Sequence, residues 1–131
     1  MIIYWWRTAV REAAPPFLRF EKMKHIVNPK RVPKGYAAIT WFPCLAYYAS
    51  QDAMTDRSMR HEEIHGRQQA EMLIVFFYIW YGIEYLFRRY LKRLPHMSAY
   101  HSISFEQEAY ENDWNTEYLK KRKVFAWFKY I

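Results

Sequence analysis

Apolar and polar positions divide this chain into a punctuated first third followed by two long helical patterns. Asn28-Pro29, Val32-Pro33-Lys34-Gly35 and Pro43 are turn or breaker signals. Between and after them, Tyr36 to Phe42 and Leu45 to Ser50 are rich in aromatic and β-branched residues and predict two strands. Pro43 puts this pair at a sheet edge or a bulge, because proline lacks the N–H that a ladder needs. Thr55 or Asp56 is suited to cap a helix from Arg57 to about Tyr81. Gly82 is the candidate break, after which helix resumes to about Arg93 and stops at Leu94-Pro95. Met97 to Ser104 reads as irregular or extended. Ser104 then caps a second helix, Phe105 to about Arg122, with acids early and bases late, the order the helix dipole favours. Upstream, Ala14-Pro15-Pro16 ends whatever forms over Met1 to Ala13, for which the pattern allows helix or strand. The expected fold is α+β and mainly α. It is a single domain over 1–131, with a strand region in 1–54 and a helical region in 55–131. A long helix and a second helix pack against a small N-terminal sheet or hairpin.

Leu73 to Ile83 is an unbroken run of eleven apolar residues, counting Gly82. As a helix it spans about 16 Å, short of roughly 30 Å of bilayer hydrocarbon. Glu84 interrupts it and Arg88 and Arg89 end it, so a buried core helix is expected, with a membrane-surface or re-entrant helix as the alternative. Composition keeps that alternative alive. Aromatic residues make up 21% of the chain, so some rings must cover a surface, line a groove or touch a membrane. The net charge of +7 comes from basic residues in Arg19 to Lys34, Arg88 to Arg93 and Lys120 to Lys123. None of these runs is long enough for a nucleic-acid arm; they read first as solvated helix ends and loops, with an anionic partner, a peripheral lipid surface above all, as the competing reading. The single cysteine, Cys44, rules out an intrachain disulfide and points to a reducing, cytoplasmic compartment. It is expected to be a buried structural thiol. Met1 to Arg11 lacks the basic start and long apolar run of a signal peptide.

The chemistry sits in His61-Glu62-Glu63-Ile64-His65, at the head of the long helical pattern. Four apart on a helix, His61 and His65 share one face, and both imidazoles can reach one tetrahedral ion at about 2.0–2.1 Å. Glu62 is turned by about 100° from His61, towards a water beside the ion rather than the ion itself. Zinc lowers the pKa of such a water towards 7, and a carboxylate in that place is the natural general base. Zinc needs at least a third protein ligand. The histidine extension of metzincins is absent, since Gly66, Arg67, Gln68, Gln69, Ala70 and Glu71 follow His65. What remains is His25, His96 or His101, or a glutamate from the downstream helix, where Glu106, Glu108 and Glu111 are available.

In these residues the chain resembles the gluzincin metallopeptidases, especially their smallest single-domain members, the minigluzincins. That group pairs HExxH with a glutamate on a second helix, in a pattern near Glu-x-x-Ala-Asp. Glu106 with Ala109 matches the spacing. The resemblance therefore implies Glu106 as the third ligand, with Glu108 as the alternative, and Zn2+ as the cofactor. It also implies a peptide or protein substrate hydrolysed with Glu62 as base. The family's aspartate falls on Tyr110, which leaves Asp113, Asn112 or Glu111 to orient a ligand histidine. The likeness covers residues 55–122, and upstream only the order of strand then helix agrees. By the same resemblance, Tyr36 to Phe42 becomes an edge strand able to pair with an extended substrate. The chain is also similar to small bacterial proteins that join an HExxHxxQQ-like helix to an Ile-Ser-Phe-Glu-x-Glu-Ala-Tyr segment. That likeness bears on the metal site and not on a substrate.

Other residues near the motif are candidates for contact with substrate or ligands. Gln68 and Gln69 lie one turn past His65. Tyr100, His101 and Tyr110 flank Glu106, and one of them can donate to a developing oxyanion. Glu84 is placed to pair with Arg88 at i+4. The competing reading is a non-catalytic zinc domain, whose metal staples two helices and whose aromatic, basic surface meets a membrane or a protein. Geometry adds one demand. A straight helix from His65 to Arg93 runs about 42 Å, while an extended chain from Pro95 back to Glu106 spans about 36 Å. Glu106 reaches His65 only if the helix bends, most simply at Gly82, or if Met97 to Ser104 is nearly fully extended.

Overall fold

The computed structural model describes residues 22–42 and 44–131; Met1 to Ala13, Ala14-Pro15-Pro16 and Pro43 lie outside them. The fold is α+β and mainly helical. Strands β1 (Lys24–Val27), β2 (Ala38–Phe42) and β3 (Leu45–Tyr48) precede helices α1 (Asp56–Glu71), α2 (Val75–Leu86), α3 (His96–His101), α4 (Ser104–Asn112) and α5 (Tyr118–Lys121). A π turn over Phe87–Leu91 prolongs α2, and a 3-10 turn, Ala126–Tyr130, closes the chain.

The two predicted strands form, and Lys24–Val27 joins them as a third. The order is β1-β3-β2, with β1 parallel and β2 antiparallel to β3. Among the described strands β2 is therefore an edge. Its register slips between Thr40 and Phe42, so a bulge interrupts the ladder there, two residues before Pro43. Ala46 and Tyr48, on one face of β3, pack with Met23 against Met54 and Met59, which ties the sheet to the start of α1.

Thr55 caps α1 through a capping box: its hydroxyl accepts from Ser58 N at 3.1 Å, and its own N–H donates to Ser58 Oγ at 2.8 Å. The expected bend exists but not at Gly82. α1 and α2 meet at 110°, and the turn is made at Leu73 and Ile74, whose φ angles are +52° and +61°. A positive φ at an aliphatic residue costs about 1–3 kcal/mol. Here a γ-turn bond from Val75 N to Leu73 O at 2.6 Å and the packing of α2 hold the two residues in place. Gly82 lies inside α2, where an added Cβ meets nothing within 4 Å. Gly82→Ala should accordingly stabilise the protein by about 0.5–1 kcal/mol in chemical denaturation. A loss would show that Gly82 has a conformational role after all.

Three further expectations are corrected. His96–His101 is helix rather than an extended link, because the bend at residues 72–74 already brings the chain back. The second helix ends at Asn112 instead of near Arg122. It stops where Asn112-Asp113-Trp114-Asn115 offers poor helix formers and the Asp113 side chain is committed elsewhere. Ser104 is the first helical residue and not the cap. Its N–H and hydroxyl both donate to Glu84 of α2, the latter at 2.5 Å, so a carboxylate from another helix caps α4. Glu84 also accepts from Arg88 at 2.7 Å, the pair that the sequence suggested.

Most of the Leu73–Ile83 run is not core. Phe77 is buried with Ile103, Phe105 and Trp127, but Leu73, Val75, Phe76, Ile79 and Ile83 are exposed, since among the described residues α2 has packing partners on one side only. Cys44, expected to be buried, is exposed in the turn before β3. Among the described residues, no single helix is long and apolar enough to cross a membrane.

Candidate metal centre

α1 and α4 bring His61, His65 and Glu106 together, all buried, with one ligand atom from each within 4.8 Å of the others. This group could hold a metal ion. Neighbouring hydrogen bonds fix how each histidine faces. Gln68 Nε2 donates to Phe105 O at 3.0 Å and to Glu108 at 2.9 Å, so its Oε1 is an acceptor. His65 Nδ1, 2.8 Å from that Oε1, must be the protonated nitrogen. His61 Nδ1 lies 3.2 Å from the Asp113 carboxylate and is likewise the donor. Both Nε2 atoms are then bare in the neutral rings, and they face one another at 3.2 Å. They lie 3.4 Å (His61) and 3.3 Å (His65) from the two oxygens of Glu106.

Donors held at 2.0–2.1 Å from a tetrahedral ion stand about 3.3–3.4 Å apart. The three measured separations match that spacing, and three facing lone-pair donors have no favourable arrangement without a cation between them. Glu106 Oε2 is buried without a hydrogen-bond partner. The electrostatics agree. Burial works to lower the His65 pKa, yet the Glu106 charge and hydrogen bond outweigh it and push it up to about 9. Burial works to raise that of Glu106, but His65 and His61 hold it well below the usual carboxylate range. The pocket attracts positive charge, whether a proton or a metal. Glu106 is further oriented by Tyr81, whose hydroxyl donates to Oε1 at 2.9 Å.

Glu108, the alternative ligand, is not in this group. It faces the other way and accepts from Gln68, from Tyr118 at 2.8 Å and from Arg122 at 2.5 Å. His25 is engaged by Tyr48, and His96 by Tyr36 and Tyr85, so neither is a ligand. Of the residues considered for orienting a histidine, Asp113 takes the part, one turn beyond Tyr110. Arg57 Nε donates to its carboxylate at 2.7 Å and Arg60 Nε to its carbonyl at 2.7 Å. Tyr110 sits edge-on to the His61 ring, 4.5 Å between centroids, and burial raises its hydroxyl pKa to about 12. His101 is exposed, its ring 4.8 Å from that of Tyr110, and does not reach the metal group.

Glu62 is buried beside the ligands. Thr40 of β2 donates to its Oε2 at 2.6 Å and to its backbone carbonyl at 3.0 Å, so the sheet positions this carboxylate. Thr40 was not legible as a site residue: it is one of several β-branched strand positions and carries no motif. Tyr81, lost within the apolar run, gave no signal either.

A cavity of about 500 Å³ opens beside these groups. Glu62, His65 and Glu106 form one wall, and Tyr36, Phe77, Tyr78, Tyr81, Tyr85 and Tyr100 make up much of the rest. Gln69 and Tyr100, both expected near substrate, line it. Burial and then Glu106 raise the Tyr100 pKa, which keeps its hydroxyl protonated, a donor, through neutral pH. Gln69 has a structural task as well. Its Nε2 donates to Thr40 O at 3.0 Å, while Tyr78 donates to Trp41 O at 2.8 Å. Two carbonyls of β2 are thus already occupied by helix side chains.

Comparison of the chain with protein-family models, with curated proteins and with solved structures finds no match in any of the three.

Proposed function

We propose that this protein is a small zinc-dependent metallopeptidase of the HExxH-plus-glutamate, gluzincin type, acting on a peptide or protein in a reducing, cytoplasmic compartment. His61, His65 and Glu106 would hold the ion. When bound, zinc polarises the scissile carbonyl and makes water a nucleophile near neutral pH. Glu62, anchored through one oxygen by Thr40, takes the proton of the attacking water. It returns a proton to the departing amine as the C–N bond breaks. Tyr100 donates from the cavity wall to the carbonyl oxygen as charge develops on it. The observation that carries this reading is the Glu62–Thr40 pair. A metal that only staples two helices needs the ligands, and has no use for a buried carboxylate held beside them.

A second reading, a non-catalytic zinc domain, draws support from the occupied edge carbonyls of Thr40 and Trp41, which shorten the strand an extended substrate would pair with. Cleavage of a peptide library by zinc-loaded protein separates the two. Glu62→Gln should keep its metal and lower cleavage by about 100-fold or more. Equal cleavage by the two proteins, or none by either, decides for the second reading.

A further inference from the structure

We propose that the outer face of α2, together with the C-terminal turn beside it, is a docking surface for an anionic lipid bilayer. Phe76, Ile79, Ile83, Leu86 and Tyr90 recur at intervals of three and four residues, so they form one stripe along the helix, and each is more than half exposed. Val75 and Leu91 widen it at the two ends. An apolar surface of this extent on a helix is not explained by packing among the described residues. Inner-face residues of the same helix, Phe77 and Tyr81, face the core and the metal-site cavity. Trp127 packs on Trp80 of α2, with ring centroids 6.1 Å apart, and this sets the C-terminal turn, with exposed Phe128, next to the helix.

Charge identifies the partner. Residues 72–104 contain four cations, Arg88, Arg89, Lys92 and Arg93, and one acid, Glu84, which is buried and paired with Arg88. Residues 118–131 contain no acid and four exposed lysines, Lys120, Lys121, Lys123 and Lys129, while the Arg122 side chain is buried against Glu71 and Glu108. Lys92 and Arg93 are exposed at the end of the stripe, and Lys92 Nζ lies 5.6 Å from the Phe87 ring, so cation and apolar surface are continuous. Apolar side chains with a basic, acid-free border fit acyl chains below anionic headgroups. A second copy of the same face would bring cations against cations. Val75 to Leu91 spans about 26 Å, which suits a helix lying along the interface with its basic end among the headgroups.

The test is flotation of the full-length protein with vesicles of phosphatidylcholine alone, or with about 30% phosphatidylglycerol to give the surface its negative potential. Binding is expected to the anionic vesicles, weakening as sodium chloride is raised and the surface charge is screened. Phe76→Ser, Ile79→Ser and Ile83→Ser together should reduce binding by at least about 100-fold. Lys92→Gln with Arg93→Gln should reduce it by roughly 25-fold, about fivefold per cation. These positions are exposed, so circular dichroism and metal content should not change. No flotation with anionic vesicles overturns the proposal, as does equal flotation by the serine variant. So does a lipid-free dimer that Ile79→Ser dissociates in a chain that does not float. Hydrolysis plays no part in this assay, so its outcome is independent of the peptidase reading.

Discussion

Glu106→Ala should leave purification without metal, whereas Glu62→Gln should keep about one zinc per chain by elemental analysis. Glu106 brings the only charge among the three donors, and it comes from the other helix. Without it, two neutral imidazoles on one turn of α1 face a cavity wall, and the attraction for a cation that shows in the raised His65 pKa is gone. Asp113→Ala serves as the graded control. Asp113 does not face the site centre but holds His61 Nδ1, and loss of such an orienting group typically weakens metal binding by about 10–100-fold. The order expected in a competition titration with a zinc chelator is wild type, then Asp113→Ala, then Glu106→Ala with no measurable site. Full metal content in Glu106→Ala would remove Glu106 from the ligand set and the gluzincin reading with it.

What could be read from the chain divides along physical lines. The two histidines and Glu62 were legible because helical geometry alone fixes their relation, and a four-residue spacing needs no knowledge of the rest of the fold. Glu106 needed more: a second helix, a resemblance, and a chain length of about 36 Å that barely returns along a straight helix of about 42 Å. Chain length favoured a bend over a nearly extended link but could not place it. The sequence signal was Gly82, yet the turn is made by Leu73 and Ile74, residue types that do not signal a positive φ. Burial of Phe77 against Ile103, Phe105 and Trp127 fixes the position of α2, and the backbone between the helices takes up the strain. The groups that orient the site were hidden for a related reason. Thr40 and Tyr81 act across 22 and 25 residues of sequence, and at such distances residue type alone does not name a partner. Asp113, 52 residues from His61, was legible only as one of three residues able to orient a ligand histidine. The exposed side of α2 was misread because an apolar run is the same in sequence whether it meets a core or a surface.

The largest effect on stability should come from Arg122→Ala, at a cost of about 3–5 kcal/mol. Arg122 is substantially buried between two carboxylates. Its Nε and Nη2 donate to Glu108 at 2.5 and 3.1 Å, and its Nη1 and Nη2 donate to Glu71. Glu71 ends α1 and Glu108 lies on α4, so a single guanidinium joins the two helices of the candidate metal centre to the C-terminal segment. Burial raises the Glu71 pKa even with Arg122 in place, which shows how much the pair depends on its cation. Removing Arg122 leaves two buried carboxylates without their counter-charge. Burial, no longer opposed by the guanidinium, then lifts the folded Glu71 pKa further above its unfolded value, so the loss is greatest at neutral pH and shrinks as pH falls into the carboxylate range, where protonation relieves it. Urea denaturation at pH 7 and pH 5 measures both the cost and its sign. The triple variant Arg122→Met, Glu71→Gln, Glu108→Gln should regain much of the stability, because no unpaired charge remains. A defect below about 1 kcal/mol, unchanged with pH, would mark the cluster as no stronger than a surface ion pair. The damage should also extend to the metal. Glu108 holds Gln68, and Gln68 holds His65 Nδ1, so releasing Glu108 loosens the ligand's orientation through two hydrogen bonds. Zinc affinity in Arg122→Ala is therefore expected to fall by about 10-fold or more, although Arg122 itself lies outside the metal group.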